Sequence, residues 1–189
     1  MFKRKEFEII RSRLMEPRHF IQVVLGPRQV GKTTTIRQVL ATLGKSSLYF
    51  SADDVRDASP QWLSRCWETA RIEASRNPDK EIILIIDEVQ KVPNWSEVVK
   101  KEWDSDSWNE RPIKILLLGS SRALLMAGLS ESLMGRFEEI RMTHWSYAEM
   151  HEAFGMELDE FMFYGGYPGP AFLLPAEEER WKNLSLIHI

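Results

Sequence analysis

The residues with the clearest chemical meaning are Gly26-Pro27-Arg28-Gln29-Val30-Gly31-Lys32-Thr33, which satisfy the pattern G-x-x-x-x-G-K-[ST] and are followed by Thr34. Such a loop suits phosphate. Its glycines permit backbone conformations and close approaches denied to other residues, so successive N–H groups can turn inward on an anion. A helix starting near Lys32 adds unpaired N–H groups and the positive end of its dipole. Lys32 is then the point charge for the β- and γ-phosphates, and the Thr33 hydroxyl is a ligand for Mg²⁺.

A second chemical element is EIILIIDE, residues 81–88, an apolar run that ends in two carboxylates. Side chains of adjacent strand residues diverge, so one acid can face a magnesium shell while the next reaches an attacking water. Asp87 is assigned to the metal, through water, and Glu88 to activation of the nucleophile. A kinase of small molecules has no need of the second acid in this role. An isolated Asp-Glu pair usually marks only a strand end, but together with the glycine loop it defines an Mg-nucleoside triphosphate site. Guanine specificity has no support, because the chain contains no N-K-x-D.

Further polar residues fall where they can join this site. Ser120, after IKILLLG, is the better candidate to sense the γ-phosphate or attacking water, whereas Ser121 fits equally well as an N-cap for the segment SRALLMAG. Arg136 precedes FEEIRM and is a candidate to stabilise transition-state charge, supplied from the same chain or from a neighbour. Arg122 and Arg28 are secondary candidates. Surface pairing is the commoner fate of an arginine.

These groups need a scaffold. Strands are predicted at 20–25, 47–51, 81–87, 113–119 and 137–142, the third and fourth apolar without alternation, as strands buried on both faces are. Helical spacing fills the intervals in KTTTIRQVLATL, SPQWLSRCWETARIEAS and NWSEVVKKEWDS, the last with Asn94 as predicted N-cap. Alternating strands and helices imply a parallel sheet covered on both sides, with ligands beyond the carboxyl ends of its strands. After Met142 the strand pattern gives way to short helices that end at Gly165 and Gly166.

Composition sets the outer limits. A chain of 189 residues, 43% apolar, supports one substantial core. With 25 basic and 28 acidic residues the net charge is −3, so no global field selects nucleic acid or an anionic membrane. Cys66 is the single cysteine, which excludes an internal disulfide, and its helical spacing with Trp62 and Ala70 predicts a buried thiol. His19, His144 and His151 share no ligand spacing. The N-terminus has no apolar h-region and no apolar run approaches a membrane span, so the chain reads as cytoplasmic with no membrane partner.

With these residues in place the chain resembles a family of prokaryotic AAA+ ATPases, the AAA_14 type, within the P-loop class. The resemblance rests on GPRQVGKTT, DEVQKVPNW, LLLGSSRALL, ESLMGRFEEIRM, WSYAEM and YGGYP, with an N-terminal RKEFEIIRSRLMEPRHF. It implies an α/β P-loop NTPase fold with a five-stranded parallel sheet of order 5-1-4-3-2, and ATP with Mg²⁺ as ligands. It implies Walker roles for Lys32, Thr33, Asp87 and Glu88, a sensor role for Ser120 and an arginine-finger role for Arg136, with a homo-oligomer if Arg136 acts on a neighbour. Members usually continue into a C-terminal domain, DUF4143, where a nucleic-acid or protein client would be engaged.

The expected organisation is an amphipathic helix over 1–18, an ATP-binding domain over 19–143 and a helical region over 144–183 leading to a missing domain. The last six residues, LSLIHI at 184–189, fit no cap or tail logic, match one reading frame of a transposon end used in sequencing libraries, and are expected to be adapter read-through.

ATP hydrolysis coupled to conformational change is the leading expectation; the alternatives are a nucleotide-gated nucleic-acid-binding module and a fragment that binds ATP without turnover. Lys3, Arg4, Lys5, Arg11, Arg13 and Arg18 make a basic N-terminal cluster that can neutralise phosphates. Phe7, Ile10 and Leu14 follow helical spacing in the same segment, so a docked helix with a solvated basic face explains the cluster more cheaply. Tyr164 and Tyr167 flank a Gly-Gly break that can hinge a lid or stack on adenine, with core packing beside a turn the simpler alternative.

Overall fold

The computed structural model describes residues 2–76, 81–120, 132–169 and 171. Helix α1 (Glu6–Met15) precedes strand β1 (Ile21–Leu25), followed by α2 (Lys32–Leu43), β2 (Ser46–Ser51), α3 (Pro60–Arg76), β3 (Ile82–Asp87), α4 (Trp95–Trp108), β4 (Ile113–Gly119) and β5 (Phe137–Arg141). Two short helices, α5 (Tyr147–Phe154) and α6 (Leu158–Tyr164), follow. The strands form one sheet of order β2-β3-β4-β1-β5 with every pairing parallel, which is the expected 5-1-4-3-2 read from the other edge.

The unbroken apolar runs follow from two covered faces. Ile82, Leu84 and Ile86 pack on one side with Leu63 and Trp67 of α3 and Val99 and Trp103 of α4. Ile83 and Ile85 pack on the other with Phe7, Ile10 and Leu14 of α1 and Ile36 and Val39 of α2. Successive side chains of one strand thus serve opposite layers, and Ile82 to Ile86 are apolar on both. Edge strands β2 and β5 are only partly buried and carry the mixed sequences SSLYFS and FEEIR.

Two features of the sequence needed the fold to explain them. Lys114, buried within β4, donates to the carbonyl of Leu14 at 2.9 Å and pairs with Glu81 at 3.0 Å, so it satisfies the carboxyl end of α1. Burial lowers its pKa, with Lys45 adding to the fall and Glu81 opposing it. Asn94 does stand at the N-cap of α4, but its backbone is left-handed (φ 52°) and its side chain makes no capping bond, contrary to the side-chain cap the sequence predicts.

Cys66 is buried, as its spacing predicts, and burial pushes its thiol up to about 11. Only the thiolate alkylates. At pH 8 the folded protein is therefore expected to react with iodoacetamide at least about a hundredfold more slowly than the urea-unfolded chain. Mass spectrometry of timed quenches checks this, and equal rates in the two states would contradict the burial.

Candidate functional site

The glycine loop leaves the carboxyl end of β1, which lies between β4 and edge strand β5. Gly26 donates to Gly119 O at 3.3 Å, and the chain leaving β5 passes directly over it. A Cβ at Gly26 would lie 2.2 Å from Met142 O, so no other residue fits there without moving backbone. Gly31 is the N-cap of α2 with φ 92°, the second position where glycine is required. Lys32 begins the helix and turns back to donate to Gly26 O (2.8 Å) and Pro27 O (2.7 Å). Burial lowers its pKa, while Glu88 and Asp87 act in the opposite direction.

Both carboxylates reach the same place. Thr33 Oγ1 donates to Asp87 Oδ2 at 3.2 Å, and Asp87 Oδ1 accepts from the Glu88 N–H at 2.9 Å. Glu88 has a left-handed backbone, φ 51°, which turns it away from the strand direction. Ser120 Oγ donates to Glu88 Oε2 at 2.8 Å, and Gln90 Nε2 donates to the same oxygen. Ser120 thus reaches the site through Glu88. The hydroxyl of Thr33 and the carboxylate of Asp87 form a hard-oxygen donor pair, the chemistry Mg²⁺ prefers, so the residues present fit that ion.

Lys32, Thr33, Thr34, Arg28, Gln29, Asp87 and Glu88 line one cavity of about 730 Å³. Gly26, Pro27 and Val30 complete the loop around it. Sequence reasoning missed other members of the site. Tyr49, on edge strand β2, donates to Asp87 Oδ2 at 2.5 Å, and burial first, then Asp87, keeps its phenol protonated well above the usual range. Phe2, Trp145 and Phe154 also wall this cavity, beside Arg4 and Gln38, with the Trp145 ring centroid 5.2 Å from that of Phe2 and 5.4 Å from that of Phe154. The tyrosines weighed for base stacking lie elsewhere: Tyr167 packs edge-on to His144 and Tyr164 to Phe163. The only signal for the wall was the aromatic character of WSYAEM and of the second residue.

Arg136 is placed differently from one of its two sequence alternatives. Its carbonyl accepts from Ile21 N at 2.8 Å, so it stands at the amino end of β1, whereas the glycine loop leaves the carboxyl end about 13 Å further along. It makes a two-bond pair with Asp104, at 2.8 and 3.0 Å. Arg136 thus lies away from the cavity of its own chain and is paired, the commoner fate of an arginine. Ser121 and Arg122 lie outside the described residues.

The basic N-terminal cluster is not one surface. Arg4 is 3% exposed and bonded within the protein, and Arg18 stacks over Trp103 while donating to the carbonyls of Ile113 and Trp103. Arg13 pairs with Glu16 and Glu138. The reading of six cations as a phosphate-binding face fails on this dispersal, because two of them anchor α1 and its flanks.

A parallel 5-1-4-3-2 sheet with a phosphate-type loop after interior strand β1 and an acid pair at the next strand end but one defines a P-loop ATPase of the AAA+ class. The chain belongs to the AAA domain family of the AAA_14 type, whose family model matches residues 18–151. Its fold is similar to that of the Walker-type ATPase paby2304 of Pyrococcus abyssi, with a TM-score of 0.66 at 15% identity, covering 99% of this chain and 72% of that one. It is similar also to the RuvB Holliday junction branch migration motor of Thermotoga maritima, with a TM-score of 0.51 at 17% identity, covering 77% and 44%. At these identities the likeness is one of fold.

Among curated proteins the chain is 25% identical over 166 residues to an uncharacterized protein of Haemophilus influenzae, covering 79% of this chain. It is 28% identical over 183 residues to the uncharacterized protein Rv2008c of Mycobacterium tuberculosis, covering 91%. It spans 40% and 36% of the lengths of these two relatives. Among the described residues no helix is long and apolar enough to cross a membrane.

Proposed function

We propose that this domain binds ATP with Mg²⁺ and hydrolyses it, and that in the whole protein the hydrolysis drives a conformational change. The observation that carries the reading is the convergence of Lys32, Thr33, Asp87 and Glu88 on one cavity at the carboxyl edge of the sheet, with Ser120 bonded to Glu88. Lys32 releases the loop carbonyls to meet the β- and γ-phosphates, and the loop N–H groups replace water around them. Thr33 and Asp87 would hold Mg²⁺, which when bound neutralises phosphate charge. Glu88 orients the attacking water through Oε1, since Ser120 and Gln90 both engage Oε2. The aromatic group of Phe2, Trp145 and Phe154 is of the right character for an adenine ring, and it lines the cavity that also contains the phosphate loop.

Arg136 serves a neighbouring copy in this proposal, exchanging its bond with Asp104 for the phosphates of the next subunit. A C-terminal domain of the DUF4143 type, following α5 and α6, supplies the contact with a protein or nucleic-acid client. The test is calorimetric titration of the purified chain with ATP and with GTP, each with and without Mg²⁺, followed by measurement of phosphate release. Micromolar ATP binding that strengthens with Mg²⁺ is expected. No binding of either nucleotide would overturn the proposal.

A further inference from the structure

One carbonyl of the glycine loop is held from outside the loop. Val30 O accepts from Arg4 Nη1 at 2.9 Å and from Trp145 Nε1 at 3.0 Å. Arg4 spends its remaining donors on the same neighbourhood, Nη2 on Thr143 O at 3.1 Å and Nε on Glu149 Oε1 at 2.8 Å, with its guanidinium 4.8 Å from the Trp145 ring centroid. Glu149 is itself fixed by the capping box of α5 with Ser146. Both donors are buried and neither is free to turn.

The consequence lies in peptide geometry. A trans peptide is planar, with its C=O and N–H pointing in opposite directions, so anchoring Val30 O fixes the direction of the Gly31 N–H. Gly31 sits at φ 92° and would otherwise leave that plane free to rotate. Gly31 lines the cavity, whereas the Val30 side chain is buried in the core. Lys32 also holds loop carbonyls, but it does so from the cavity and must let go when phosphate arrives. The Arg4 and Trp145 bonds come from outside the loop and hold Val30 O, a carbonyl to which Lys32 does not donate, so they need not break when Lys32 lets go.

We propose that Arg4 and Trp145 are positioning residues for phosphate binding, which pin the Val30–Gly31 peptide with its N–H toward the cavity and thereby tie the residues flanking α1 and α5 to the loop. The inference rests on the reading of that loop as a nucleotide cradle. It assigns the two side chains a role that neither the loop pattern nor the acid pair contains.

The test uses the full chain with Trp145→Phe, which keeps a ring against Phe2 and Phe154 but removes Nε1, and Arg4→Lys, which keeps the charge but loses the fork. Calorimetry is run with ATP, with inorganic pyrophosphate and with adenosine, after thermal melting confirms folding. Loss of one hydrogen bond to the loop is expected to weaken ATP and pyrophosphate about three- to tenfold in each variant, with adenosine unchanged in Arg4→Lys. Pyrophosphate affinity within twofold of the parent in both variants overturns the inference, and so does a loss for adenosine in Arg4→Lys equal to that for pyrophosphate, which would mark a merely structural role. If the parent chain binds neither ATP nor pyrophosphate, the nucleotide reading falls first and this inference with it.

Discussion

Glu88→Gln is expected to leave ATP binding within about twofold of the parent and to lower phosphate release by about 10²- to 10⁴-fold, the range associated with removing a general base. Glutamine keeps the shape of the side chain and can still accept from Ser120 and Gln90, so the local structure at the end of β3 survives. What it loses is a carboxylate able to take a proton from water. Lys32→Ala should behave oppositely, losing nucleotide affinity at the outset, because no other side chain within the loop places an ammonium against its carbonyls. The pair of variants separates the two acts of the site: one residue holds phosphate, the other turns water into a nucleophile. Phosphate release by Glu88→Gln at the parent's rate would show that another group activates the water. Retained affinity in Lys32→Ala would move the phosphates away from this loop altogether.

The central scaffold was legible because its constraints are local and repeated. Strands β3 and β4 announce themselves through apolar runs too long and unbroken for a one-sided sheet, and the glycine loop through four fixed residue types between a strand and a helix. Lys32, Thr33, Asp87 and Glu88 were found because each stands at a strand end or helix start that the same patterns locate. Tyr49, Arg4 and Trp145 were not, for a physical reason. Each reaches the site across the fold: Tyr49 from the neighbouring edge strand, Arg4 from 26 residues before Val30 and Trp145 from 115 residues after it. No periodicity encodes such a meeting. Arg4 was obscured further by its company, since a cation among five others in one segment reads as surface until burial separates it. The same reasoning explains Arg136, whose sequence position was right for a residue near a nucleotide but whose end of the sheet was visible only once β1 and β5 were seen to run parallel.

Asp106→Ala is expected to destabilise the protein by about 3–5 kcal/mol, the usual cost of breaking a buried ion pair from one side. Asp106 lies at 0% exposure on α4, where Oδ2 accepts from Trp67 Nε1 at 2.8 Å and Oδ1 from Arg71 Nε at 2.8 Å and Arg111 Nη1 at 3.2 Å. Arg71 also pairs with Glu102 at 2.7 Å. Burial works against the Arg71 charge, but Asp106 and then Glu102 outweigh it and raise its pKa. Removing Asp106 therefore strands the indole N–H of the largest fully buried side chain and leaves Arg71 with Glu102 alone, while Arg111, 39% exposed, turns to solvent. Asp106→Asn should cost less, since its amide oxygen can still accept, while the simultaneous change Asp106→Leu with Arg71→Met should recover much of the loss, because the stranded charge leaves with its partner. For a domain of this size the alanine variant should melt about 10 °C lower, measured by calorimetry, with the double variant between it and the parent. A melting temperature within about 2 °C of the parent in the alanine variant would show that α3 and α4 are held by their apolar faces alone. The ion pair would then serve to fix how the two helices align, a distinction that only the comparison of single and paired substitutions can draw.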